Sequence, residues 1–383
     1  MSSQDSDITA LLEASGESTF KKATKKAQEV VDQLTNISLD VAVTGESGSG
    51  KSTFINAIRE LSDDDEGAAA TGVTETTSEP TPYQHPTMPN VIFWDLPGIG
   101  TTKFKAKDYP KKMQFARYDF FIIISSERFR ENDILLAKEI KKKKKLFYFV
   151  RSKIDNDVNA EQSKKDFNEE KMLSKIKQNC LENLREIENP KVFLISSRDI
   201  SAFDFEELVD TLMSELPEHK RYALMRSVPV TSVTMLKKKV RMFKIAAWAA
   251  AACSGGIAAA PVPGLSFACD VSILVAFFTS CYFSFGLDDK SIERLSKRVN
   301  KPHLRSVIKS PLVLALASNS AMRLQLSALA CSEVLESLFS FLPGVGSAVA
   351  AGISFTVTYT LLKNGLKELE EAALMVLRET ELK

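Results

Sequence analysis

The sequence predicts an α/β fold built on a mostly parallel, doubly wound sheet, followed by an all-α region. Three observations predict it. Short apolar runs recur at Val41-Ala42-Val43, Asn90 to Trp94, Asp119 to Ile124, Leu146 to Val150 and Val192 to Ile195. Runs without a polar face belong to strands buried on both sides, as in parallel sheets. The first run opens through a glycine-rich loop into the helix-like stretch Thr53 to Ile58. After Pro217 the pattern becomes helical and stays so to Lys383. With 383 residues, 44% of them apolar, the chain can fill two cores. The boundaries expected are 1–36 for an N-terminal helical segment, 37–217 for the α/β domain and 218–383 for a C-terminal helical domain.

The loop after the first strand reads Gly45-Glu46-Ser47-Gly48-Ser49-Gly50-Lys51-Ser52, a full G-x-x-x-x-G-K-[ST] match in the strand–loop–helix context it requires. Its glycines let backbone N–H groups turn inward around a polyphosphate, and the helix opening at Ser52-Thr53 adds a favourable dipole. Lys51 would reach the β- and γ-phosphates, and the Ser52 hydroxyl would take a Mg²⁺ position. Between Gly67 and Pro89, threonine, proline and glycine dominate, as in a switch loop.

The next strand ends at Asp95-Leu96-Pro97-Gly98. Asp95 can hold Mg²⁺ through water, and the Gly98 N–H can meet the γ-phosphate. The run Lys141 to Lys145 precedes the Leu146 strand and reads as the end of a surface helix, where lysines are favourable. That strand leads to Ser152-Lys153-Ile154-Asp155. A carboxylate at Asp155 can accept from the N1–H and 2-amino group of guanine, a pair that adenine lacks, with the Lys153 stem over the ring. The last strand ends at Ser196-Ser197, whose N–H groups can meet the guanine O6. All of these fall at strand carboxyl ends, where open α/β sheets bind ligands. The ligands expected are GTP or GDP with Mg²⁺; an ATP-using P-loop protein is the alternative that Asp155 opposes.

Longer stretches resemble a known family. Gly67-Ala68-Ala69-Ala70-Thr71-Gly72-Val73-Thr74-Glu75, Pro82-Tyr83-Gln84-His85-Pro86 and Phe93-Trp94-Asp95-Leu96-Pro97-Gly98-Ile99-Gly100 look like the immunity-related GTPases, the interferon-inducible, dynamin-like GTPases of vertebrate cell-autonomous defence. Tyr118 to Ser125, Phe147 to Arg151 and Leu216-Pro217 continue the likeness. The resemblance implies a Ras-like P-loop GTPase domain with a helical domain built from both chain ends. It implies nucleotide-dependent self-assembly through a G-domain dimer, with itself or with related GTPases, on intracellular membranes. By position it makes Thr77 the switch threonine on Mg²⁺ and Glu75 a switch glutamate acting across the dimer. It puts Thr71 where pathogen kinases attack family members. Lys51 places the chain with the effector-type members.

Two positions depart from better-known GTPases. Ile99 follows Gly98 where a Ras-type enzyme has a water-orienting glutamine. Hydrolysis is therefore intrinsically slow or completed from elsewhere; the alternative is a nucleotide-gated membrane scaffold with negligible turnover. Ser152 stands where Asn or Thr is usual, and its hydroxyl can still donate a bracing hydrogen bond.

Composition narrows the partners. Net charge is +1 and the pI about 7.6, so nothing calls for nucleic acid. The five cysteines form no C-x-x-C pair, which favours buried reduced thiols, and the three histidines lie far apart. His85, beside Pro86, reads as a turn or edge residue. From Ile245 to Leu287 the only charged residue is Asp270, and from Leu338 to Leu362 there is none. Each stretch reads as an apolar helical hairpin, turned at Pro261-Val262-Pro263-Gly264 or Pro343-Gly344-Val345-Gly346, near or below the ~20 residues that cross a bilayer. Either they form the centre of a soluble bundle or they meet lipid. The polar, acidic N-terminus is unlike a signal peptide, and Ser2 replaces the glycine that N-myristoylation needs. The expected location is cytoplasmic, peripheral to or partly inserted in ER, Golgi or pathogen-vacuole membranes.

Overall fold

The computed structural model describes residues 37–72, 77, 79–98, 109–258, 265–318 and 350–380, which divide into two compact units at residues 235 and 236. The 1–36 segment, Glu75, Ile99 and both Pro/Gly turns of the apolar hairpins lie outside the described residues.

In the first unit six strands form one sheet: β1 Leu39–Gly45, β2 Thr81–His85, β3 Met88–Asp95, β4 Phe120–Ser125, β5 Leu146–Arg151 and β6 Val192–Leu194. Their order is β2-β3-β1-β4-β5-β6, with only β2 antiparallel to its neighbour. This is the mostly parallel sheet of a Ras-like domain. The chain steps from β1 to β3 on one side and then crosses to β4 on the other. That reversal opens a crevice at the carboxyl ends of β1, β3 and β4. The register pairs Val43 with Asp95 and Gly45 with Ile124, so the candidate residues share one rim.

Why these runs are strands follows from their burial. Residues Phe120 to Ile124 are all buried, which a helix on a sheet surface cannot achieve with consecutive residues. Each such side chain contributes roughly 1.5–3 kcal/mol of transfer free energy. One face (Ala42, Trp94, Phe121, Phe149) packs against α3, Glu131–Lys142, and α5, Glu169–Asn183, with the short α2, Tyr109–Lys112, at its edge. The other is covered by α1, Lys51–Ile58, α6, Phe205–Glu215, and α7, Glu218–Ser227. Helix α4, Ile154–Glu161, follows β5. Helix α3 ends at Lys142, with Lys138 and Lys141 paired to Glu186 and Glu188, so the lysine run does close a surface helix.

One expectation is corrected. The stretch 67–89 is not all loop, because it contains β2 and the start of β3. Pro82 concealed the strand. It sits opposite Trp94 on the sheet's outermost strand, where a missing N–H is tolerated. His85 ends that edge strand, with its Nδ1 accepting from the Thr87 N–H at 3.3 Å. At the opposite rim, Asp204 occupies the free side of β6. Its Oδ2 accepts from the Leu194 N–H at 3.0 Å, and its own N–H donates to the Leu194 carbonyl at 2.9 Å.

The second unit is helical: α8 Val233–Ala258, which begins just before the division, then α9 Leu265–Ser284, α10 Asp289–Arg298, α11 Pro311–Ala317 and α12 Ala350–Glu379. Helices α8 and α9 are the arms of the first apolar hairpin. Phe243 of α8 meets Phe277 of α9 and Phe285 edge-on. A Cβ on Gly365 would lie 2.3 Å from the Phe278 ring, so that ring of α9 packs directly on the bare α12 backbone. Asp288 and Ser310 cap α10 and α11, the latter with Pro311 at its first turn. Among the described residues no helix is long and apolar enough to cross a membrane.

Candidate functional site

The loop between β1 and α1 is held by backbone conformations that demand glycine. Gly45 has φ +142°, and a Cβ there would sit 2.0 Å from the Ile124 carbonyl oxygen of the neighbouring strand. Gly50 has φ +95° and precedes Lys51, the first residue of α1. Lys51 is buried, its ammonium donating to the Glu46 carbonyl at 2.9 Å. Ser47, Gly48, Gly50, Lys51, Ser52 and Thr53 line a cavity of about 110 Å³ together with Thr71, Gly72, Thr77, Gly98 and Lys153. Thus residues far apart in sequence meet at the start of α1, where helix N–H groups and dipole favour an anion.

Asp95 forms the cavity's acidic corner. Its Oδ2 accepts from the Ser52 hydroxyl at 2.6 Å and the Thr77 hydroxyl at 3.1 Å. Its Oδ1 is buried and has no hydrogen-bond partner. Burial pushes the carboxyl above the usual carboxylate range, opposed by the Ser52 and Thr77 hydrogen bonds and by the charge of Lys51. A buried oxygen left unpaired beside two hydroxyls fits a hard divalent cation such as Mg²⁺, which takes oxygen ligands. Among the described residues no group of three or more His, Cys, Asp or Glu could hold a metal. A cation here would therefore depend on hydroxyls, water and phosphate as well as Asp95.

Gly98 closes the opposite side. A Cβ there would lie 2.9 Å from the Ser47 N–H nitrogen, so the turn after β3 packs directly on the loop. Tyr109, fully buried, holds that turn: its hydroxyl donates to the Pro97 carbonyl at 2.7 Å and lies 3.0 Å from the Thr44 hydroxyl. Sequence reasoning missed Tyr109, since a lone tyrosine beyond the turn carries no motif.

The third side comes from the β5–α4 turn. The Ser152 hydroxyl donates to the Ser49 carbonyl at 2.6 Å, the brace that serine can supply in place of Asn or Thr. Lys153 adopts φ +59° and its ammonium donates to the Gly48 carbonyl at 2.9 Å, so its stem runs across the loop. Asp155 stands half-buried in the first turn of α4, outside the phosphate cavity. Ser196 is buried and accepts from the Asp199 N–H at 3.1 Å, with Ser197 half-buried beside it; neither lines that cavity. The Ile154 N–H reaches the Ile195 carbonyl at 3.4 Å, joining these two turns.

Glu46 faces outward and pairs with Arg130 at 3.1 Å. Arg130 precedes α3, where Asp133 accepts the Arg130 N–H at 2.9 Å. The second oxygen of Asp133 is buried and unpaired. Burial raises that carboxyl to about 6, against the hydrogen bond from Arg130.

The family model for interferon-inducible GTPases (IIGP) matches residues 4–362. The chain belongs to the interferon-inducible GTPase family. Interferon-inducible GTPase 5 of Rattus norvegicus is 39% identical over 96% of this chain and 81% of its own length. Interferon-inducible GTPase 1 of Mus musculus is 41% identical over 78% and 74%. Interferon-gamma-inducible GTPase 10 of the same species is 39% identical over 89% and 81%. Membership in the IIGP family carries GTP binding and GTP hydrolysis and a part in the interferon-induced immune response.

Proposed function

We propose that this IIGP-family GTPase binds GTP and Mg²⁺ in the cradle between β1 and α1 and hydrolyses GTP when two copies meet through their G domains. The observation that carries the reading is Asp95: a buried carboxylate with one oxygen unpaired, bonded by Ser52 and Thr77 at a helix N-terminus. Lys51, resting on a loop carbonyl, would exchange it for a phosphate oxygen, and the loop and Gly98 N–H groups would take the remaining charge. Mg²⁺, when bound, supplies electrostatic neutralisation of the phosphate oxygens. Ser52, Thr77 and Asp95 are the residues that would hold it, and Asp155 with Ser196 and Ser197 would select guanine.

Ile99 cannot orient water, so the missing group is sought in the partner copy, with Glu75 as the residue assigned to it. Membrane surfaces enter through the apolar hairpins, with the nucleotide state controlling assembly there. Hydrolysis per molecule measured against protein concentration tests the reading. A rate that rises with concentration, and loses that rise in Glu75→Ala while GTP binding persists, is the expected result. No turnover at any concentration favours the nucleotide-gated scaffold instead. Co-flotation of the full chain with anionic liposomes, with GTP and with GDP, tests the membrane part.

A further inference from the structure

Arg59 closes helix α1 and is buried, with only 4% of the residue exposed. Among the described residues no carboxylate pairs with it. Its Nε donates to the Gln84 carbonyl at 3.0 Å and its Nη2 to the Gly67 carbonyl at 2.9 Å, while the guanidinium carbon lies 5.4 Å from the centre of the Tyr83 ring. Its Nη1 is buried without a partner. Burial lowers the guanidinium to about 10. A buried cation that among the described residues meets two carbonyls and a ring is an expensive way to fasten a surface, so its value lies in what it fastens.

What it fastens are the Gly67 and Gln84 carbonyls, and between these two in sequence stand Thr71 and Thr77, which line the cavity. Asn56, three residues earlier on the same helix, grips Ala69 from both sides. Its Oδ1 accepts from the Ala69 N–H at 2.6 Å, and its Nδ2 donates to the Ala69 carbonyl at 3.0 Å. The other end of α1 carries Lys51 and Ser52, about 10 Å away along one rigid helix. Phosphate recognition and these anchors are thus fixed to a single body.

We infer that Arg59 is a positioning residue: by tying Gly67 and Gln84, which flank Thr71 and Thr77 in sequence, to helix α1, it sets where those two threonines stand at the cavity and so the preference for GTP over GDP. This rests on the proposed GTP·Mg²⁺ site. Lysine cannot replace the fork, because an ammonium cannot span both carbonyls in the guanidinium plane.

The test measures the affinity of the full chain for GDP and for a non-hydrolysable GTP analogue in Mg²⁺ buffer, with kcat beside KM. In Arg59→Met, GDP affinity should stay within about twofold, while the analogue's affinity and kcat fall by roughly tenfold or more, the loss expected when a charged hydrogen-bond donor is removed. Arg59→Lys should recover only part of this. An unchanged ratio of analogue to GDP affinity overturns the inference, whether both affinities fall together or neither moves. Should Arg59→Met fail to fold, Tyr83→Leu decides: it removes the ring but neither carbonyl. A drop of about threefold in that ratio upholds the inference, and an unaltered ratio overturns it. Failure of the unaltered chain to bind GDP at all would sink the proposed site itself, a distinct outcome.

Discussion

Asp133→Asn should make the chain's stability less sensitive to pH, in a direction opposite to that of an ordinary surface aspartate. The carboxyl is buried, one oxygen is unpaired, and it titrates near 6 in the folded chain against an ordinary value of 3.8. A raised pKa means that folding favours the protonated form. The contribution is therefore fully present below 3.8 and is lost as pH rises through 6. At 1.36 kcal/mol per unit, the difference amounts to about 3 kcal/mol in all, of which about 2 kcal/mol falls between pH 4.5 and 7.5. Asparagine keeps an acceptor for the Arg130 N–H and carries no charge. Urea unfolding at the two pH values, followed by Trp94 fluorescence in a Trp248→Phe background, isolates the first unit. The variant should gain about 2 kcal/mol on the parent between pH 4.5 and 7.5. A gap that stays constant, or shifts the other way, would refute the reasoning about desolvation at the head of α3.

Three further outcomes follow from the site. Gly45→Ala should abolish nucleotide binding or destabilise the chain by more than about 3 kcal/mol, since a Cβ 2.0 Å from a backbone oxygen cannot be relieved by a side-chain rotation; mant-GDP titration and thermal unfolding check it. Asp95→Asn should weaken Mg²⁺ binding at least about tenfold while GDP binding in EDTA persists, as read by fluorescent-nucleotide release on metal titration. Tyr109→Phe should cost about 1–2 kcal/mol in stability and lower kcat with little change in GDP affinity, because the Pro97 carbonyl loses its donor next to Gly98.

Much of this was legible in the chain. Buried runs such as Phe120 to Ile124 are apolar on both faces, so strand identity and parallel pairing follow from local composition. The cradle was legible because its chemistry depends on backbone, and glycines at 45, 48 and 50 are the only record a backbone geometry leaves in sequence. Strand β2 was hidden, since Pro82 reads as a breaker unless one knows that its strand lies outermost. Arg59, Asn56 and Tyr109 were invisible for another reason. Each acts on a backbone carbonyl or N–H remote in sequence, and such acceptors carry no residue signature. The first apolar hairpin appears as α8 and α9, and the second arm of the other opens α12, but the first hairpin's turn and residues 338–349 lie outside the described residues.

Both lateral margins of the sheet are blunted, one by an imino acid without a donor and the other by an aspartate that mimics a further strand. Proteins that associate by lengthening a sheet leave such margins open. Polymerisation of this molecule by β-augmentation is therefore disfavoured at either side. Any pairing of copies would have to use side chains and loops, not a ladder that only unfolding would undo.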